Sequence, residues 1–96
     1  MRIKIDKDLM LEIKKESDKL PLINKTLMDI QILLEPSYYN SIIKLEPLND
    51  HMILKVKTNK YISVQEKRDI GEQISYIINN YNKLDIPFCI NEHINN

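Results

Sequence analysis

Ser63-Val64-Gln65-Glu66 is the strongest constraint on how this chain folds. A serine there can accept from a free amide of a first helical turn while the glutamate three residues on reaches back to the capping residue. Behind it Ile70, Ile74, Ile77, Ile78 and Tyr81 recur at the spacing of one helical face. The pattern predicts a helix from about residue 64 to Asn82 or Lys83, with those five side chains in the core and Tyr76 off the stripe. Gly71, the only glycine, interrupts it. Glycine inside a helix costs ~1 kcal/mol relative to alanine, so either a neighbour packs close or the position is simply tolerated.

The other elements follow from periodicity and punctuation. Ile3 and Ile5 flank Lys4 in a short period-two strand, and Asp6 can cap the amides of a helix that carries Leu9, Met10, Ile13 and Leu20 on one side. Pro21 is expected to stop that helix. Ile30, Ile32 and Leu34 alternate with Asp29, Gln31 and Leu33, which reads as a strand over residues 27–34 with one buried face. After the turn signal Glu35-Pro36-Ser37, a further strand puts Tyr39, Ser41, Ile43 and Leu45 inward. It turns Tyr38, Asn40, Ile42, Lys44 and Glu46 outward. Pro47 to Asp50 closes it, and residues 51–58 alternate again, with Met52, Leu54 and Val56 inward and Ile53, Lys55 and Lys57 outward. Ile86, Phe88 and Ile90 form a last short strand, which Pro87 assigns to a sheet edge or to the strand's first residue, and residues 91–96 are expected to fray.

The predicted order is β-α-β-β-β-α-β: an α+β two-layer sandwich, residues 1–96 as one domain, with a mostly antiparallel sheet and two helices on one face. Such layering leaves the other sheet face open and at least one strand edge to be protected or used.

Composition removes several function classes. Fourteen cationic residues balance fourteen acidic ones, so no global field draws the chain to nucleic acid or an anionic surface. Seventeen isoleucines, twelve lysines and ten asparagines with no alanine reflect AT-rich codons rather than function. One glycine cannot build a phosphate-cradling loop or a dinucleotide fingerprint. No apolar run approaches the ~20 residues of a bilayer span, and the charged start Met1 to Asp6 has no secretion signal. A single cysteine makes no internal disulfide, and together these features lead to the expectation of a cytoplasmic protein without membrane attachment. Cys89 and His93 lie four apart with His51 distant, a spacing that reads as core filler and tail rather than as a metal or nucleophile site. Glu35 and Glu46 precede prolines as turn-flanking surface groups. The expectation is therefore no catalytic residue, no metal and no cofactor.

Two binding surfaces remain. Tyr38, Ile42 and Ile53 would form an apolar patch on the open sheet face, with Tyr39 beside it and Lys44, Glu46, Lys55 and Lys57 as a charged rim. This gives the leading expectation: a small non-catalytic intracellular module that binds another protein, or itself as a homodimer, through a sheet face or edge. An inhibitor, an immunity protein or an accessory subunit of a phage or mobile element fits that size. The alternative is nucleic acid, through Lys55, Lys57, Lys60, Lys67 and Arg68. The helix-meander-helix order around them resembles that of double-stranded-RNA-binding domains, which place lysines at the start of the second helix. The chain departs from that family in lacking its small-residue helix and glycine-containing loop, and Glu66 and Asp69 interrupt the positive charge.

Overall fold

The computed structural model describes residues 2–15, 19–38, 40–49 and 51–92. In chain order the elements are β1 (Arg2–Ile5), α1 (Lys7–Lys15), α2 (Lys19–Tyr38), β2 (Ile42–Leu48), β3 (His51–Thr58), α3 (Val64–Ser75) running into a π-helical turn (Tyr76–Tyr81), and β4 (Phe88–Glu92). The fold is α+β, with a four-stranded mixed sheet and three helices on one of its faces.

The sheet order is β1-β2-β3-β4. β2 and β3 form an antiparallel hairpin, while β1 runs parallel to β2 and β4 parallel to β3. Parallel neighbours need a crossover, and here each crossover is helical: α1 and α2 link β1 to β2, and α3 links β3 to β4. The sheet is therefore mixed rather than mostly antiparallel, and three helices replace the expected two.

Both differences have one physical source. Residues 27–34 lie inside the twenty-residue α2, not in a strand. Buried Ile23, Leu27, Ile30, Leu34 and Tyr38 step along α2 at intervals of three and four, whereas Ile32 is 64% exposed, so the apparent alternation was a fragment of a longer helical stripe. Pro21 stops nothing, because it occupies the first turn of α2, where its missing amide has no intrahelical partner to lose. Pro36 sits in the last turn, where its missing amide gives up the bond to the Ile32 carbonyl and the helix ends two residues on. With that strand gone there is no three-stranded meander, and the double-stranded-RNA-binding layout is not reproduced.

Both helix caps and the inward faces of β2 and β3 form as their sequences predict. Asp6 Oδ1 accepts from the amides of Asp8 and Leu9 at 3.1 Å each, starting α1. The capping box forms: Glu66 N–H donates to Ser63 Oγ at 3.1 Å and Ser63 N–H to Glu66 Oε1 at 3.4 Å. Ile43, Leu45, Leu54, Val56 and Ile90 point from the sheet into the same core as Ile70, Ile74 and Ile78. Pro87 immediately precedes β4, an edge strand, but Asn91 and Glu92 extend that strand rather than fray.

Tyr81 is 69% exposed rather than in the core where its spacing would put it. The π-helical turn adds a residue to the circuit, rotating Tyr81 outward and bringing Asn82 in. Asn82 is buried and joins two elements: Nδ2 donates to Thr26 Oγ1 at 2.8 Å and Asp29 Oδ2 at 3.4 Å, and Oδ1 accepts from Lys25 Nζ at 3.1 Å. Its amide donates to Ile77 O and that of Leu84 to Ile78 O, closing the turn through Lys83 at φ 53°.

Candidate functional site

The two faces of the sheet differ in what covers them. Alternation sends Ile3, Ile5, Ile43, Leu45, Leu54, Val56 and Ile90 under the helices and sends Lys4, Ile42, Lys44, Glu46, Ile53, Lys55, Lys57, Cys89 and Asn91 to the opposite face. No helix among the described residues lies over that second face, and its β2 and β3 side chains are half-buried.

Register fixes how these groups sit. Lys4, Lys44 and Lys55 are directly abreast on β1, β2 and β3, with Cys89 continuing the row on β4. One rung along lie Ile42, Lys57 and Asn91, and on the other side lie Glu46 and Ile53. Four lysines thus share a face with a single described carboxylate, in a chain whose formal net charge is zero. Neighbouring strands are ~4.8 Å apart, and like charges directly opposite one another oppose folding. Glu46 relieves part of this by pairing diagonally with Lys55 at 2.8 Å. That bond, helped by the charges of Lys55, Lys44 and Lys57, holds the Glu46 carboxyl below its ordinary range, and Glu46 in turn raises the Lys55 ammonium.

The residues expected to form an apolar patch do not come together. Tyr38 leaves the sheet altogether: as the last residue of α2 it is 8% exposed, and its hydroxyl donates to Glu66 Oε2 at 2.5 Å. The Lys60 ammonium lies 4.7 Å from the centre of its ring. The Glu66 hydrogen bond first, then burial and the Glu66 charge, push the Tyr38 phenol up to about 12, and the same bond lowers the Glu66 carboxyl. The physical reason is that α2 runs on through residues read as a strand and a turn, so Tyr38 closes a helical stripe instead of opening a strand. Ile42 and Ile53 do occupy the open face, but the Lys44 and Lys55 rung separates them. Tyr39 and His93 lie outside the described residues.

The five cations proposed for nucleic acid are also dispersed. Lys55 and Lys57 share the open face, Lys60 stacks on Tyr38, and Lys67 and Arg68 are on α3, which packs against the other face. Lys4, which completes the lysine row, was missed because only the parallel β1–β2 pairing brings it there. The period-two sequence around it was the available signal.

Elsewhere, a concavity of about 410 Å³ opens at the hairpin end of the sheet, where Leu9, Ile13 and Ile23 meet the exposed Glu12, His51, Lys83 and Asp85. Among the described residues no three His, Cys, Asp or Glu side chains converge as metal ligands would. Cys89 is half-buried on the open face, accepting from Asn91 Nδ2 at 3.6 Å, rather than a filler of the core. No described helix is long and apolar enough to cross a membrane. Comparison with known proteins gave no matching family model, no matching curated protein and no matching solved structure.

Proposed function

We propose that this protein is a binding module that docks an acidic protein surface on the open face of its sheet. The observation that carries the reading is the row of Lys4, Lys44 and Lys55 abreast on three strands. Glu46 offsets only part of that row through its ion pair with Lys55, the chain bears the remaining repulsion, and departures from local consistency of this kind are where functional surfaces are found. Ile42 and Ile53 on the adjoining rungs add apolar contact on either side, so an acidic partner with exposed aliphatic groups is complementary in both respects. A single-stranded nucleic acid is the weaker fit, because such strands are held by stacking on aromatic side chains and the described residues place none on this face.

The test uses the intact chain and two face variants, Ile53→Asp and the triple change Lys44→Glu, Lys55→Glu and Lys57→Glu. Affinity capture from the source cell is expected to retain a partner with the wild type, to release it at about 0.5 M salt, and to lose it with either variant while the thermal midpoint stays within a few degrees. Purified partner then gives the affinity directly. Equal capture by all three proteins would refute the reading. A salt-sensitive gel shift with duplex or single-stranded RNA, abolished by the triple change, would replace it with a nucleic-acid function.

A further inference from the structure

Gly71 has no explanation inside its own chain. A Cβ at this position would lie 3.9 Å from Ile90 Cδ1 and 4.0 Å from Phe88 Cε2, which is ordinary contact, so neither close packing nor a left-handed backbone requires glycine. What the missing side chain leaves is a groove of about 260 Å³ between α3 and β4, lined by Lys67, Gly71, Phe88, Cys89, Ile90 and Asn91. The groove runs along a strand edge, since among the described residues β4 is bonded to β3 alone. Pro87 turns its carbonyl toward β3, where it accepts from the Leu54 amide at 2.9 Å. By the alternation of the ladder, the amides and carbonyls of Phe88, Ile90 and Glu92 face outward.

We propose that this edge pairs antiparallel with β4 of a second copy, across a twofold axis at Ile90, joining two four-stranded sheets into one of eight. In this register Ile90 meets Ile90 of the second copy on the helix-covered side, Cys89 faces its Asn91 on the open side, and Phe88 faces its Glu92. Charge favours this occupant. Glu92 of each copy is brought to the groove of the other, where Lys67 is the cation, and no like charges oppose one another. The other edge lacks this self-complementarity, because pairing β1 with itself about its outward lysine sets Lys4 against Lys4. Pairing of β4 with β1 of a neighbour is heterologous, giving a ring or an open filament rather than a twofold dimer. The dimer does not depend on the open-face reading, although it would make the two lysine faces one continuous surface.

Cross-linking tests the register. Asn91→Cys places position 91 opposite Cys89 of the second copy at a Cα separation of about 4.5 Å, within disulfide reach. In the wild type the two Cys89 residues would be about 8 Å apart, beyond it. Mild oxidation of the variant is expected to give a covalent dimer whose peptide map joins positions 89 and 91, and the wild type is expected to give none. Sedimentation equilibrium of the unmodified chain should show a dimer. Glu92→Pro, which removes one outward amide at a strand end where proline is tolerated, should weaken it at least tenfold with unchanged circular dichroism. The triple lysine variant of the open face should dimerise as the wild type does. A wild type that stays monomeric up to about 1 mM, or a cross-link that maps to another pair, overturns the proposal.

Discussion

Replacing Tyr38 discriminates sharply between a surface tyrosine and the buried one found here. The ring is 8% exposed, its hydroxyl donates to Glu66, and the Lys60 ammonium covers one of its faces. Tyr38→Ala removes a buried aromatic ring and leaves a cavity, a change that costs about 3–4 kcal/mol. Tyr38→Phe keeps the ring and loses one hydrogen bond to a carboxylate, about 2 kcal/mol. With a urea dependence of about 1 kcal/mol per molar for a chain of this size, the unfolding midpoints should fall by about 3–4 M and about 2 M. The folded protein holds the phenol proton more tightly than the unfolded chain does, with its pKa raised from 10.0 to about 12. The hydroxyl's contribution is therefore complete below pH 10 and is lost as the pH rises toward 12. The gap between wild type and Tyr38→Phe should narrow over that interval, and lysine titration, common to both, cancels in the difference. A midpoint for Tyr38→Ala within about 0.5 kcal/mol of wild type, the range of ordinary surface changes, would refute the placement.

Gly71→Ala should raise stability by about 1 kcal/mol, read from the same urea curves, because the new methyl meets only ordinary contacts. Asn82→Ala should cost about 2 kcal/mol by separating the π-helical turn from Thr26, Asp29 and Lys25, while the exposed Asn80→Ala stays within about 0.5; thermal unfolding of both checks this. Ser41 is fully buried and its Oγ has no hydrogen-bond partner among the described residues, so Ser41→Ala should be neutral or stabilising by about 1 kcal/mol in calorimetry.

Local chemistry wrote much of this fold into the residues. The capping box at Ser63, the Asp6 cap and the β2–β3 hairpin each depend on groups a few residues apart, so sequence was enough to locate them. The lysines and isoleucines of β2 and β3 were legible as an outward face for the same reason, because alternation within a strand needs no knowledge of its neighbours. Only tertiary structure could decide the rest. A short apolar run fits either period, and Ile30, Ile32 and Leu34 became helix because Ile23, Leu27 and Tyr38 extend the stripe to a length only a helix can bury against this sheet. That one choice moved Tyr38 from the surface to the core and made β1 a parallel neighbour of β2. It thereby set Lys4 beside Lys44 and Lys55, a juxtaposition of residues forty and more positions apart that depends on strand pairing and not on spacing.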